Sequence, residues 1–163
     1  AASDVYKRQK SIIMIRKIGN EWWTAPTESD ENGRTVIVTG RRGVEAAMES
    51  GKYRIRVEIT WRYQGDSTGM PDKPTSMLME AVQEALTKVF DRDPVAILTG
   101  VYTGDDRRDW VFYVTSTHIF ERKINEALAP FDLLPITIYT ENDPDWAEYR
   151  EMREATELTV TDE

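Results

Sequence analysis

Closely spaced carboxylates are the first residues of this chain whose types could bind a metal ion. Asp105, Asp106 and Asp109 fall within one short stretch, and Asp91 and Asp93 flank the end of a predicted helix. Carboxylate oxygens are the ligands that Mg²⁺ and Ca²⁺ prefer. Arginines stand beside both groups, however, and the spacing differs from the ligand pattern of a calcium-binding loop. The two groups therefore favour hydrogen-bonded turns, and we assign no metal site and no cofactor.

Acid–base and nucleophilic chemistry has few candidates. His118 is the only histidine, and there is no cysteine. A single histidine in the first turn of a predicted helix indicates a surface or packing residue rather than a proton shuttle. The segment GRRG, from Gly40 to Gly43, offers backbone amides and two guanidinium groups to a phosphate, but it lacks the lysine and hydroxyl of a phosphate-binding loop. It favours a plain turn, and we assign no catalytic residue.

A row of arginines along one strand is the strongest candidate for a binding surface. The segment KYRIRVEITWRY, residues 52–63, alternates strictly between apolar and polar side chains, which predicts a half-buried strand. The apolar side chains face the core. The arginines face the opposite side, together with tyrosines of neighbouring strands. The candidate binding residues on this open sheet face are Arg54, Arg56, Arg62, Tyr113 and Tyr139.

The partner of this open sheet face is constrained by charge. Arginine beside aromatic rings is typical of sheets that stack RNA bases. The net charge of -8 and the presence of Glu58 in the same row oppose a nucleic-acid partner. Docking of a protein or of a small anion stays open, as does a polar face partly covered by other elements. We expect a protein partner in preference to RNA.

The elements that position these residues follow from periodicity and turn signals. Asn20 to Gly40 is predicted to form a hairpin around Asn32-Gly33. Lys52 to Glu141 then follows the order strand, helix, strand, strand, helix, strand, which is the split βαβ, or ferredoxin-like, βαββαβ order. Both helices are predicted to cover one face of an antiparallel sheet. The predicted fold class is α+β, a ferredoxin-like sandwich with an N-terminal β-hairpin and a C-terminal helix.

The two core helices have their own start signals and apolar stripes. Thr75 or Ser76 is the predicted N-cap of the first helix, and Ser116 is near the start of the second. The predicted buried stripe of the first helix is Leu78, Val82, Leu86 and Val89. The predicted stripe of the second is Phe120, Ile124, Ala127 and Leu128.

The C-terminal helix carries the most motif-like set of residues. Asp143 is its predicted N-cap, with Pro144 at the first helical position. Trp146 and Tyr149 stand three residues apart and would share one helix face. We interpret this set as structural, holding the helix against the sheet or hairpin, with a recognition surface as the alternative.

Length and composition predict one domain. The chain has 163 residues, of which 40% are hydrophobic and 31% are charged. The lack of cysteine excludes disulfides and thiolate metal sites. No apolar run is long enough for a membrane span or a secretory signal. We therefore expect a cytoplasmic protein that does not insert into membranes.

The two ends of the chain are predicted to lie outside the domain. Residues 1–9, AASDVYKRQ, can be back-translated into the transposon-end adapter used for sequencing libraries. We interpret them as an artefact on a metagenomic open reading frame, whose native start is Met14 or an upstream start that was lost. Residues 14–155 are the expected single α+β domain. Residues 156–163 are the expected frayed acidic tail.

Four motifs together resemble a known family. They are LTGVYTGDDRRDWVFYV, with a Thr-Gly-Asp turn before an aromatic strand; DPDWAEYREM from Asp143 to Met152; the early Trp22 and Trp23; and GMP at Gly69 to Pro71. Over most of the range from Asn20 to Met152, the chain resembles domain-of-unknown-function family 695. It departs from the family in lacking a tyrosine after the tryptophans and in having Asp106 where glycine is more usual.

The resemblance carries limited functional content. Family 695 is similar in architecture to the regulator of ribonuclease activity B, a protein inhibitor of an RNA-degrading enzyme. It implies a ferredoxin-like fold and a bacterial source, and it implies no established activity, so no catalytic residue carries over. We expect a non-catalytic protein-binding or regulatory module. The alternative is a small metabolite-binding domain or enzyme whose site lies between the open sheet face and the loop from Gly65 to Pro74.

Overall fold

The computed structural model describes residues 18–91 and 93–161, which form six strands and four helices. The strands are β1 (Trp22–Glu28), β2 (Thr35–Arg41), β3 (Ile55–Arg62), β4 (Ala96–Gly104), β5 (Arg107–Val114) and β6 (Ile136–Asn142). The helices are α1 (Glu45–Glu49), α2 (Lys73–Lys88), α3 (Thr117–Leu128) and α4 (Ala147–Thr161). The expected artefact at residues 1–9 and the expected start at Met14 lie outside the described residues.

All six strands join one antiparallel sheet in the order β1-β2-β4-β5-β3-β6. The predicted hairpin is confirmed, with Trp22 opposite Arg41 and Glu28 opposite Thr35. β2 also pairs with β4, from Val36 opposite Gly104 onwards, so the hairpin extends the sheet instead of standing beside it. The fold is therefore a mixed α/β arrangement whose sheet has more than the four strands of the predicted core.

The first face of the sheet is covered by α2 and α3. Along β3 the predicted alternation is confirmed, because Val57, Ile59 and Trp61 are buried in this core. Burial of a side chain of this size stabilises a fold by about 1.5–3 kcal/mol. The helices contribute Met79, Val82, Leu86, Phe120 and Ile124.

Two details of α2 differ from the prediction. The helix begins at Lys73 because Asp72 caps it, with an Asp72 carboxylate oxygen 2.9 Å from the Thr75 amide that donates to it. Pro74 is tolerated there because the first turn of a helix needs no N–H from that residue. Val82 and Leu86 of the predicted stripe are buried, but Leu78 is 41% exposed and Met79 is buried in its place. The Ser116 cap of α3 is confirmed.

The second face of the sheet is covered by α1 and α4. This core is built from β1, β2, β4 and β5 and includes Trp23, Val38, Tyr113, Trp146 and Tyr149. Among the described elements, α4 contacts mainly β1 and β2. The two helix layers are therefore offset along the sheet. β4 and β5 contribute buried side chains to both cores, β3 only to the first, and β1 and β2 only to the second.

The start of α4 corrects the predicted cap geometry. Residues Asp143 to Trp146 form a turn closed by the Trp146 amide, which donates to the Asp143 carbonyl over 3.1 Å, so Pro144 precedes the helix. Trp146 takes a left-handed φ of 57°. The Asp143 carboxylate still caps the helix, because it accepts from the amides of Ala147 and Glu148 at 2.8 and 3.1 Å.

The end of α4 corrects the predicted domain boundary. The helix continues to Thr161, and Thr156 is buried. The Thr156 hydroxyl donates to the Met152 carbonyl at 2.7 Å and accepts from the Trp23 indole nitrogen at 2.8 Å. The tail was predicted from its acidic and polar composition, but a threonine can be buried when its hydroxyl bonds to the carbonyl four residues earlier.

We expect Trp146→Ala to lower the free energy of unfolding by about 3–5 kcal/mol, because a fully buried ring is lost and a cavity remains. The ring stacks on Tyr113 with centroids 4.1 Å apart, and its indole nitrogen donates to the Tyr53 carbonyl. Chemical denaturation measures the change. The control is Tyr139→Ala, an exposed ring on the same sheet, which should change stability by less than about 0.5 kcal/mol. Equal effects of the two variants would contradict the structural role of Trp146.

Candidate functional site

The polar face is the part of the sheet on the α4 side that β3, β5 and β6 form and that α4 leaves uncovered. Its side chains form rows across the sheet, because residues opposite one another on β5, β3 and β6 lie side by side. Glu58 lies between Val111 and Tyr139, and Thr60 lies between Asp109 and Thr137. The polar face consists of Arg56, Glu58, Thr60, Arg62, Arg107, Asp109, Thr137, Tyr139 and Glu141, with Arg54 at one end.

The predicted binding residues are brought together only in part. Arg54, Arg62 and Tyr139 are exposed on the polar face. Arg56 is largely buried, with 12% of its side chain exposed. Tyr113 is fully buried, so the expectation that it joins an open face is wrong. The predicted set is therefore a surface of three exposed side chains and not a continuous arginine–tyrosine platform.

Arg56 is engaged inside the protein. Its Nη1 lies 3.0 Å from Glu58 Oε2 and 3.4 Å from Glu141 Oε1. Burial by itself lowers the pKa of Arg56, but the hydrogen bond and charge of Glu58 outweigh it, and the pKa is raised above its ordinary value. The two carboxylates neutralise this guanidinium. The polar face therefore carries less free positive charge than its arginine count suggests.

Tyr113 is covered by the turn that precedes α4. Its hydroxyl donates to Asp143 Oδ2 over 2.6 Å and accepts from the Tyr149 amide at 3.3 Å. Its ring lies under Trp146, nearly parallel at 15°. Burial raises the pKa of Tyr113, and the Asp143 carboxylate adds to that rise. These contacts support the structural interpretation of the motif from Asp143 to Tyr149.

Asp109 was assigned to a turn from the sequence, but it lies within β5 and is a functional candidate. It is buried, Thr60 Oγ1 donates to it over 2.7 Å, and Arg107 Nε lies 3.3 Å from its second oxygen. Burial raises the pKa of Asp109 above the ordinary aspartate value. Opposite it on β4, burial raises the pKa of Tyr102 to about 12. Alternate residues of a strand point to the same face, so Asp109 shares a face with Val111 and Tyr113. That spacing in the sequence could have placed Asp109 on the polar face.

Asp109 also borders a cavity of about 370 Å³ at the end of the polar face nearest α4. Its other charged lining residues include Arg107, Glu148 and Glu151. The cavity is strongly acidic and has one nearby guanidinium. In residues 18–91 and 93–161, no group of three or more histidine or carboxylate side chains is arranged to hold a metal ion.

The aspartates of the β4–β5 turn stabilise loop structure. Asp105 and Asp106 take left-handed φ angles of 54° and 65°, as both central residues of a type I′ hairpin turn do. Asp105 accepts from Ser29 Oγ and Asn32 Nδ2, and the Asn32 bond lowers the pKa of Asp105. Asp106 accepts from Arg34 Nη1 over 3.1 Å. The turn interpretation is confirmed for these two residues, and Asp106 replaces the family's glycine without leaving the left-handed region.

The GRRG segment does not form the predicted plain turn, because Gly40 and Arg41 belong to β2. A side chain at Gly40 would overlap the ring of Trp23. Arg41 lies over the Trp22 ring, and Arg42 Nε pairs with Glu157 Oε2 at 3.1 Å. The two guanidinium groups thus have separate surroundings, and they do not form a shared anion nest with the backbone.

The remaining candidates lie away from the polar face. His118 is exposed in the first turn of α3. The loop from Gly65 to Pro74 packs on the β4–β5 turn, where the Gly69 carbonyl accepts from the Asp106 amide and the Tyr63 hydroxyl. It contributes no lining residue to the acidic cavity or to a larger cavity near Arg41. Neither of these two cavities therefore lies between this loop and the open sheet face.

We expect Arg56→Glu to lower the free energy of unfolding at pH 7 by about 3 kcal/mol or more, because it brings a third carboxylate against Glu58 and Glu141. Arg56→Met, which removes the charge alone, should cost about 1–2 kcal/mol. Urea denaturation measures both variants. The difference in the free energy of unfolding between the two variants should be smaller near pH 4, where carboxylates become protonated. A stability difference between the two variants that does not change with pH would contradict the proposed charge network.

We expect the stability of Asp109→Asn relative to the parent to increase as the pH rises from about 4 to 7. The raised pKa of Asp109 means that the folded state holds this proton longer than the unfolded state does, so the parent loses stability as the pH rises. Denaturation midpoints across this range test it. Asp66→Asn is the control with the opposite trend, because hydrogen bonding from Thr68 lowers the pKa of Asp66. Parallel pH profiles of parent and Asp109→Asn would contradict the prediction.

Within the part of the chain that the structure describes, no helix combines the length and apolarity needed to span a bilayer. Comparison with curated proteins gives no match to this chain. Comparison with protein families gives one: the model described as "Family of unknown function (DUF695)" matches residues 21–152. The match covers the sheet from before β1 and reaches into α4, and it includes the polar face. The chain belongs to the DUF695 family.

Proposed function

We propose that the protein is a non-catalytic module that binds a partner protein through the free edge of β6. The observation that carries the proposal is the exposure of β6. Among the described strands it pairs only with β3, and no described strand pairs with its outer edge. An edge strand presents unpaired N–H and C=O groups that an extended segment of another protein can join.

The other edge of the sheet is less suited to such pairing. β1 contains Pro26, which lacks an N–H and is typical of edges that resist strand addition. α4 also packs against β1. β6 has no proline between Ile136 and Asn142. The two edges therefore differ, and β6 is the one that can accept a strand.

Exposed apolar side chains add to the case for β6. Ile138 is 45% exposed, Tyr139 is 60% exposed, and the preceding Leu133 is fully exposed. Ile138 and Tyr139 are consecutive, so they lie on opposite faces of the sheet. A partner strand beside β6 could cover both. The partner is therefore expected to supply an extended segment with an apolar side chain on each face.

Charge defines the partner further. Arg54 and Arg62 lie at the two ends of β3, next to β6, and both are exposed. Neither forms an ion pair with a carboxylate of the described residues. Carboxylates flanking the apolar part of the partner segment would complement them. RNA is disfavoured on the same face, because Tyr113 is buried and Arg56 is neutralised by Glu58.

We further propose a ferredoxin-like unit from β3 to β6 and a regulatory role in the bacterial cytoplasm. The strand order β4-β5-β3-β6, with α2 and α3 on one face, supports the ferredoxin-like unit. The regulatory role draws on the architectural similarity of the family to the regulator of ribonuclease activity B. The cytoplasmic location draws on the cysteine-free sequence. Because a fold alone does not specify a function, the docking proposal rests on β6.

The test is capture of a partner from nuclease-treated bacterial lysate by the full chain, followed by hydrogen exchange of the complex. We expect the partner to protect the backbone amides of β6. Ile138→Lys and Tyr139→Lys should each weaken capture about tenfold or more, because a lysine disfavours edge pairing and removes an apolar contact. Met77→Lys is the matched control, since Met77 is 61% exposed on α2 and should tolerate the change.

Two outcomes of the capture and exchange experiments would contradict the proposal. One is a captured protein whose affinity does not respond to Ile138→Lys or Tyr139→Lys. The other is protection that falls on α2 or α3 while β6 exchanges as in the free protein. A dimer in light scattering that Ile138→Lys abolishes would replace the partner protein by a second copy of this chain, and would also contradict the proposal as stated.

A further inference from the structure

We propose that the cavity between the end of α2 and the start of β1 binds a small monocarboxylate with an apolar, ring-sized body, held by Arg41 and Trp22. The cavity has a volume of about 1250 Å³, enough for a small ligand and its bound water. It lies on the face of the sheet opposite the polar face and at the β1 end. It is therefore independent of docking at β6.

Arg41 supplies a positioned cation. Its Nε donates to the Gly19 carbonyl over 3.0 Å and its Nη1 to the Leu98 carbonyl over 3.2 Å. Its guanidinium lies over the Trp22 ring, 5.3 Å from the centroid. A guanidinium has five N–H donors, so these two bonds leave others for a ligand. Within residues 18–91 and 93–161, no carboxylate forms an ion pair with Arg41.

Two amide side chains that line the cavity can also donate. The oxygen of the Asn20 amide accepts from Trp22 Nε1 at 2.7 Å. The oxygen of the Gln83 amide accepts from Trp110 Nε1 at 2.9 Å. Each bond directs the amide oxygen to an indole and leaves the NH₂ group as the free end. An ionised carboxylate only accepts hydrogen bonds, so it matches the Arg41 guanidinium and these two amide groups.

The rest of the lining defines the body and the charge of the ligand. Phe90, Leu98 and Phe112 give an apolar wall, which would bury a ring or a branched chain. Asp91 also lines the cavity, and its charge acts on Arg41 across a distance greater than an ion pair. A second negative charge on a ligand would be repelled by Asp91. The lining thus selects a monoanion over a phosphate or a dicarboxylate.

The test uses naphthalene-2-carboxylate and its neutral analogue naphthalene-2-carboxamide as probes of the full chain. Two-dimensional NMR follows the indole N–H of Trp22, and calorimetry gives affinities. We expect saturable binding of the carboxylate with a shift at Trp22, and affinity for the carboxamide about tenfold or more lower, since hydrogen bonds to charged groups are the strong ones. Equal affinity for the two probes, or no binding of the carboxylate at millimolar concentration, would overturn the proposal.

Three variants locate the site. Arg41→Met should weaken carboxylate binding about tenfold or more and leave carboxamide binding nearly unchanged. Because Arg41 also supports the Gly19 and Leu98 carbonyls, Thr87→Phe provides a second route: it fills the cavity from α2 and should abolish binding of both probes. Arg62→Met, the same change on the polar face, should have no effect. Retained binding in Thr87→Phe, or loss in Arg62→Met, would overturn the assignment to this cavity.

Discussion

The buried carboxylate of Asp143 is the interaction on which the arrangement of this protein depends. It accepts from the Tyr113 hydroxyl on β5 and from the amides of Ala147 and Glu148 at the start of α4. A buried carboxylate is tolerated only where several donors satisfy it, so α4 cannot move without leaving Asp143 unpaired. The same contacts hold the Trp146 ring on Tyr113 and its left-handed backbone in place.

The position of α4 decides which parts of the sheet stay open. From its start above Tyr113 the helix runs over β1 and β2, where Thr156 near its far end accepts from Trp23. It therefore leaves β3 and β6 uncovered on that side. α2 and α3 cover the opposite face of the core and leave space beside the start of β1. The two candidate surfaces are consequences of one offset between helix layers.

Patterns within a single element could be predicted, and contacts between elements could not. The alternation along β3, the Asn32-Gly33 hairpin and the presence of a C-terminal helix follow from local periodicity and turn chemistry. The burial of Tyr113 requires knowledge of where α4 lies. The neutralisation of Arg56 by Glu141 requires knowledge that β6 is the neighbour of β3. The early start of α2 at Lys73 was missed because Asp72, Thr75 and Ser76 are all good caps, and only packing distinguishes them.

Arg41 and Arg56, two of the half-buried arginines of the sheet, show why residue type alone is a poor guide to a binding site. Arg56 is held by the carboxylates of Glu58 and Glu141, and its pKa is raised. Arg41 is held by neutral carbonyls, and burial lowers its pKa, with Asp91 offsetting only part of that effect. Arg56 thus completes its own charge balance within the protein. Arg41 has no ion-pair partner among the described residues, and a partly buried cation of this kind is best stabilised by an anion that binds beside it.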